Sequence, residues 1–350
     1  MTCSSGFNQD RQLKVIAAVA LLFAASNSHA QELNWFGFAQ LTATSTEADD
    51  SFEFGADGVR AGFTVNNGDW TSKLVLDLNG NNLDQSRPGS LPNIIFDLFT
   101  QYQLNDNHSV RLGQFKAPIG MDFSMPATGL DFTRRGLDAG LVLNRTLGVM
   151  LSGRRFDNGF GYDVGIFNPA GRSAATQHIG SGPLDQAGDD FSFAGRVLFD
   201  PSEEWHFEAA LGSSQAAGGP GTEDLRVIDF GARWHKDAWT IKGEYITATD
   251  IRGSAGHDES VIYLHGEYAF SPRLSALVRH YHGESEVGSV SSDLDNTYFG
   301  LTWFLDQQRR SNNRIMVNYV LASGDTVRYT GVRGLRQDGL YIQYQFHYAD

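Results

Sequence analysis

From Gln31 onward, most of the chain consists of short segments in which apolar and polar residues alternate. The last of these segments has apolar residues at every second position: Leu340, Ile342, Tyr344, Phe346 and Tyr348. Because successive side chains of a β-strand point to opposite faces, each segment would have one apolar and one largely polar face. Helical periodicity is nearly absent. Segments of about ten residues with this alternation are typical of transmembrane β-barrel strands.

The alternation predicts an all-β fold of about sixteen strands, an even number within the range of bacterial outer-membrane barrels. We place no soluble domains in the chain, because the pattern continues to its end. The predicted strands are 33–44, 51–65, 70–79, 93–104, 108–117, 146–155, 159–167, 189–199, 203–213, 225–235, 238–249, 259–270, 273–283, 295–305, 312–323 and 338–348.

The connections between these segments alternate between short and long. The short ones consist of tight-turn residues and lie at 66–69, 105–107, 157–158, 200–202, 236–237 and 271–272. The long ones are polar, rich in glycine and acidic. This alternation predicts a transmembrane antiparallel up-and-down barrel with short periplasmic turns and long external loops. The third external loop, residues 118–145, is the longest, and we expect it to fold inward and narrow the barrel.

The N-terminal thirty residues have the features of a secretory signal peptide. Arg11 and Lys14 precede an apolar run, residues 15–25, that is too short to span a bilayer as a helix. Small residues then precede Gln31, where we expect cleavage. The predicted organisation is a cleaved signal peptide at 1–30 and a single transmembrane barrel domain at 31–350. Cys3 is the only cysteine, so the mature chain would contain no disulfide.

The charge balance limits the partners of the protein. The net charge is −14, and removal of the signal peptide, which carries +1, would leave about −15. Nucleic acid is excluded as a partner because phosphate binding needs clustered cations. The expected partners are outer-membrane lipid, on the outward faces, and small solutes or ions inside.

Four segments in the middle of the chain form an ordered series of motifs. Residues 113–120 read GQFKAPIG, and they are followed by Arg145-x-x-Gly148-Val149, by residues 165–168 (GIFN) with Gly171, and by residues 195–197 (GRV) with Pro201. The first segment is similar to the G-Q-F-K-x-P-x-G motif of the phosphate-selective porins of Gram-negative bacteria. The series, in its order and spacing, resembles that family.

The resemblance implies a trimeric, sixteen-stranded channel for passive diffusion, without cofactor or covalent chemistry. Its solutes would be small, hydrophilic or charged, with anions such as inorganic phosphate as candidates. Three residues match family positions: Lys116 at the start of the inward loop, Arg145 where that loop returns to the wall, and Arg196 on a strand.

The loops depart from the family pattern because they are acidic. They include Glu47, Asp49, Asp50, Asp185, Asp189, Asp190, Glu223, Asp224, Asp258, Glu259, Glu284 and Glu286. The family implies a preference for anions, whereas the net charge favours cations. We expect a weak anion preference, because loop charges are screened within about 8–10 Å at physiological salt.

Charged side chains at the narrowest ring set the selectivity of a pore. Our candidates for the constriction are Lys116, Arg134, Arg135, Arg145, Asp122, Asp131 and Asp138. For Arg134 and Arg135, a salt bridge that pins the loop to the wall is the competing interpretation. Because a charge facing lipid is costly, we expect these strand charges to face the lumen: Arg111, Arg154, Arg196, Lys242 and Glu244.

Two other kinds of site were considered. A calcium loop around Asp77, Asn79, Asn81 and Asp84, or zinc bound by His265, His280 and His282, is less consistent with the sequence than polar turns and strand residues. Ser260 or Ser275 near a histidine would be needed for a hydrolase, and we expect no catalytic residue, metal or cofactor. The alternatives to a porin are an outer-membrane barrel hydrolase, in which serine, histidine and acid would converge, and a plugged structural or adhesive barrel.

Overall fold

In the computed structural model, residues 32–47, 52–79, 91–154, 157–169, 191–216 and 220–349 are described, and their strands form a closed barrel. Each strand pairs antiparallel with its chain neighbours, and β1 pairs with β16. The predicted signal peptide lies outside the described residues. The strands are β1 (Glu32–Thr46), β2 (Glu53–Asn67), β3 (Trp70–Asp77), β4 (Ile95–Asn105), β5 (His108–Lys116), β6 (Arg145–Gly153), β7 (Phe160–Phe167), β8 (Ser192–Phe199), β9 (Trp205–Ser214), β10 (Leu225–Lys236), β11 (Trp239–Thr249), β12 (His257–Ser271), β13 (Leu274–Val287), β14 (Val290–Phe304), β15 (Arg314–Gly324) and β16 (Gly339–Ala349).

The predicted sixteen-stranded antiparallel barrel is confirmed, and each predicted strand overlaps the observed one. The largest error lies between β13 and β14, where a long loop was expected. The strands instead continue to a tight hairpin turn at Gly288, whose φ of +60° favours glycine. Both faces of these strand ends are polar, so alternation of hydrophobicity could not reveal them. Glu284 and Glu286, which were predicted in a loop, therefore lie on β13. Asp258 and Glu259, also named among the loop acids, lie on β12, and Glu259 is the first residue of the strand predicted there.

The outward face of the barrel carries most of the exposed apolar side chains. Trp35, Trp70, Trp239 and Trp303 are about half exposed and lie near strand ends, Trp70 and Trp239 directly beside short turns. Such aromatic side chains are typical of the membrane interface. Tyr298, by contrast, faces the lumen and packs against the ring of Phe132.

Helices are few and short. They are α1 (Met121–Ser124) and 3₁₀ turns at Ala127–Gly129, Leu137–Gly140 and Ile251–Gly253. Among the described residues, no helix is long and apolar enough to cross a membrane.

Residues 117–144, the inner loop, connect β5 to β6 and contact strands on opposite sides of the barrel. The amide N–H of Gly120 donates to Asp229 on β10, whereas the carbonyls of Ala127 and Thr128 accept from Gln40 on β1 and Gln345 on β16. A segment that reaches both sides must cross the lumen.

Glycines on the inward face of the wall make room for the apolar side chains of the inner loop. A Cβ at Gly300 would lie 2.9 Å from the ring of Phe132, and one at Gly283 would lie 2.5 Å from Leu137. Gly212 and Gly231 similarly receive Ile119 and Met121. These separations are shorter than a van der Waals contact, so the wall fits the loop only where it lacks side chains.

Candidate functional site

The inner loop is attached to the wall by two strand carboxylates. Asp229 accepts the N–H of Gly120, and Glu244 accepts those of Met121 and Asp122, all at 3.0 Å. Gly120 has a φ of +85°, which favours glycine and turns these consecutive amides toward the carboxylates. Glu244 also accepts the hydroxyl hydrogen of Tyr263 at 3.0 Å. Glu244 therefore lies on the lumen side and holds the loop there.

Next to this attachment, two loop acids and two strand cations form a buried ionic cluster. Arg279 lies 3.1 Å from Asp122 and 2.5 Å from Asp131, and Lys242 contacts both acids. Asp122 is 1% exposed and Arg279 is 3% exposed. Although burial opposes it, the charges of Arg279 and Lys242 lower the pKa of both loop aspartates. With two charges of each sign, the cluster is neutral overall.

Asp138 is the third acid of the inner loop, and it lies fully buried on the turn Leu137–Gly140. Burial, together with the nearby charge of Asp122, raises the pKa of Asp138 to about 6. This carboxyl is thus poorly accommodated in its charged form.

Three of the predicted constriction cations, in the inner loop or at its two ends, bind protein groups. Lys116 donates to the carbonyls of Phe123 and Met125, and Arg135 donates to those of Asp122 and Met125. Arg145 donates to Asp97 at 2.7 Å. These contacts hold the loop in shape, and a role for the three cations in solute binding stays a prediction.

The side chain of Arg134 is 39% exposed. Its guanidinium lies 3.4 Å from Asp57 on β2 and 4.9 Å from the ring centroid of Tyr341 on β16. The wall therefore provides its partners, which agrees with the competing interpretation of a pinning salt bridge.

The predicted strand arginines lie on the other side of the lumen. Arg154 and Arg196 share Asp163, at 2.5 and 2.7 Å, and Arg196 also donates to Ser124 of the inner loop. Arg154 lies one residue beyond β6 rather than on it. Arg111 donates to Gln101 and lies over the ring of Phe99.

A cavity of about 310 Å³ lies between the inner loop and the wall formed by β8–β11. A second cavity, of about 410 Å³, lies toward the short turns and includes Arg154, Gln101 and Asp106 in its lining. The charged residues that line the first cavity are Arg154, Arg196, Arg233, Lys242, His206, Asp122 and Glu208.

The sequence prediction missed several of these lumen charges. Arg233, Arg279, Asp229 and Glu208 all lie on spanning strands at inward positions. The available signal was their phase relative to outward residues such as Phe230, because inward and outward positions alternate along each strand.

Metal binding has one geometric candidate in the described part of the chain. Asp131, His265 and Glu267 offer ligand atoms within 4.8 Å of one another. However, Asp131 already contacts two cations, and Nδ1 of His265 accepts from Arg279 at 3.3 Å. A metal ion would therefore compete with resident positive charges. Asn81 and Asp84 of the calcium alternative lie outside the described residues.

The histidine constellations considered from the sequence do not converge. His265 points into the lumen, whereas His280 and His282 point outward on the neighbouring strand. Ser275 accepts from Arg310 at 2.9 Å. Within the described ranges, neither Ser260 nor Ser275 hydrogen-bonds to a histidine.

Comparisons with known proteins relate this architecture to porins. The model of the family described as phosphate-selective porin O and P matches residues 30–195. No curated protein matches the chain. Similar solved structures include an anion-selective porin from Comamonas acidovorans, with a TM-score of 0.63 and 14% identity over 92% of this chain and 100% of that one.

Two further structures share the fold at similarly low identity. OmpF of Salmonella typhi, in complex with daunomycin, has a TM-score of 0.65 and 12% identity over 90% of this chain and 97% of that one. The trimer form of OmpT, an outer membrane protein of Vibrio cholerae, has a TM-score of 0.61 and 13% identity over 91% and 100%.

The family match and the barrel agree with the motifs in the sequence. The motif at residues 113–120 lies inside the matched range, where it ends β5 and begins the inner loop. The resemblance to the phosphate-selective porins is therefore confirmed over residues 30–195, and the barrel is that of a channel of the bacterial outer membrane.

Proposed function

We propose that this channel passes small anions in weak preference to cations, through the cavity below the inner loop and without covalent chemistry. The observation that carries the proposal is the charge of that cavity. The lining contains four cationic side chains (Arg154, Arg196, Arg233 and Lys242) and two acidic ones (Asp122 and Glu208). Lys242 and Asp122 belong to the neutral ionic cluster, which leaves three arginines and Glu208. Asp163 lies behind two of the arginines, and counting it still leaves an excess of one positive charge.

The acids near the passage are already engaged by protein cations. Asp122 belongs to the buried ionic cluster, and Glu208 lies 3.6 Å from Arg196 and 3.4 Å from His206. We expect the acids of the external loops to act weakly on the passage, because loop charges are screened within about 8–10 Å at physiological salt. Low-dielectric walls focus the field of the remaining arginines on a passing solute. An anion preference follows from this arrangement despite the net charge of −14.

The reversal potential of the purified protein in a planar bilayer under a salt gradient tests this proposal. We expect discrete conductance steps and the sign of an anion-selective channel. A cation-selective sign would contradict the preference, and an absence of steps would contradict channel function.

Arg233→Gln removes one charge from the lining, and Arg226→Gln is its matched control. Arg226 lies on the same strand with its side chain on the outward face. We expect the first substitution to shift the reversal potential toward zero and the second to leave it unchanged. Equal shifts would mean that the cavity does not control selectivity.

For inorganic phosphate, we propose passage without a dedicated tight site. Lys116 and Arg145 match family positions, but their donors contact loop carbonyls and Asp97. The donors of Arg135 also contact loop carbonyls. Added phosphate should therefore reduce chloride conductance only at millimolar concentration or above. Strong block at micromolar phosphate would contradict this expectation.

We also propose a homotrimer, supported by the family match and by the trimer form of the structurally similar OmpT. Mass measurement of the detergent-solubilised protein by light scattering would test it. A monomeric mass in mild detergent would contradict the proposal.

A further inference from the structure

Residues 325–336, here called the strap, connect β15 to β16 and form a second segment that enters the barrel. Val327, near its start, is 88% exposed. Its middle is buried: Tyr329 is only 2% exposed and belongs to the same apolar cluster as the inner loop. The sequence prediction had assigned an inward fold only to residues 118–145.

The strap is bound to inward-facing side chains of β12 and β14. Of these two strands, β12 is not a neighbour of the strands that the strap connects. The N–H of Val332 donates to Glu259 at 2.8 Å, and the N–H of Thr330 donates to Ser292 at 3.0 Å. Leu335 and Asn296 exchange two hydrogen bonds, at 2.9 and 2.7 Å. The side chains of Glu259, Ser292 and Asn296 are buried on the lumen side. A segment held by these groups occupies space inside the barrel.

The strap also contacts the inner loop directly. Arg333 donates to the carbonyl of Arg135 at 3.3 Å. A Cβ on Gly140 would lie 3.0 Å from that of Arg333 and 3.7 Å from that of Val332. Gly283 on β13 adjoins both Leu137 and Tyr329. The strap and the inner loop therefore pack against each other at the turn Leu137–Gly140.

We propose that the strap is a second constriction element, which sets the width of the external mouth together with the inner loop and keeps the turn Leu137–Gly140 in its position. The proposal rests on the chain acting as a channel, and it assigns size selection to a segment separate from the arginines that line the lower cavity. Ions pass through the barrel while the strap keeps these contacts with the wall and the inner loop.

Two variants of the full mature chain test the proposal in planar bilayers. The first replaces residues 326–335 by Gly-Ser-Gly. Because the narrowest ring limits conduction, we expect a rise in single-channel conductance of about twofold and entry of larger sugars into proteoliposomes. Conductance steps from the unaltered protein, measured first, establish channel function independently.

The second variant, Gly140→Cys with Val332→Cys, joins the strap to the inner loop. The 3.7 Å between the two Cβ positions fits a disulfide, and the predicted mature chain has no other thiol. We expect the disulfide to form under mild oxidation, with equal conductance in the oxidised and reduced protein. The single substitutions Gly140→Cys and Val332→Cys are the controls.

Three results would overturn the proposal. They are an unchanged conductance and size limit in the shortened variant, failure of the cysteine pair to form a disulfide, and a lower conductance after oxidation. The last result would mean that the strap must leave its seat for ions to pass. If the shortened variant does not fold, the cysteine pair still tests the contact and its role.

Discussion

The two sides of the lumen use similar charges for different purposes. On the side of the lumen formed by β10–β13, three side chains are at most 5% exposed and contact the inner loop: Lys242, Glu244 and Arg279. On the side formed by β6–β10, Arg154 and Arg233 line a cavity, and the side chain of Arg154 is 40% exposed. We call these the anchored side and the open side. Where the inner loop covers a lumen-facing charged residue, that residue binds the loop. Where the loop leaves it uncovered, the residue can contact solute.

The largest effect that separates the two sides is expected from Arg279→Met on the anchored side. The substitution leaves Asp122 and Asp131 with Lys242 as their remaining close cation. Removing one partner of a buried ionic cluster costs about 3 kcal/mol. Faster hydrogen exchange in residues 117–144 and easier urea unfolding in detergent should follow.

The control for this substitution is Arg273→Met, at an exposed position beside a short turn. It should leave hydrogen exchange and unfolding unchanged. If Arg279→Met has no more effect than the control, the cluster does not anchor the loop.

A smaller effect is expected when a side chain is added where the inner loop meets the wall. Gly300→Ala would place a methyl group 2.9 Å from the ring of Phe132. Such overpacking costs about 1–3 kcal/mol, and the loop should shift toward the open side and lower the conductance. Gly266→Ala is the control, because its Cβ would meet only Val278 at 3.9 Å on the outward face. Equal conductance in both variants would contradict close packing at Gly300.

The smallest effect concerns the dependence of loop stability on pH. Asp138 has its pKa raised to about 6, so ionisation of this carboxyl opposes the folded loop. Its folded pKa exceeds its unfolded value, and stability should therefore fall as pH rises through about 6 and recover as pH falls toward 4. Hydrogen exchange of residues 117–144, corrected for the intrinsic rate at each pH, measures this change.

Asp138→Asn should remove that dependence while leaving the ion selectivity of the open side unchanged. Asp106→Asn, near a short turn, is the control. A pH dependence that persists in Asp138→Asn would assign the titration to another group.

Much of the barrel could be predicted because lipid and water impose opposite demands on alternate residues. The segment 339–349 shows this clearly, since Tyr344 faces outward and Gln345 is fully buried on the other face. The prediction failed where that contrast ends, at the polar tips of β13 and β14. The motif at 113–120 also located the start of the inner loop, since Gly120 turns the chain toward the wall.

The sequence by itself determined the number of strands, which of their side chains point to lipid or to the lumen, and the presence of one long inward segment. Only the tertiary structure decided which lumen charges are covered. Glu244 pairs with amides more than a hundred residues away, and Val332 of the strap with Glu259 on β12. Alternation along a strand records only whether a side chain faces lipid or lumen. Whether a lumen charge meets water or a loop depends on contacts between distant segments, which no local pattern contains.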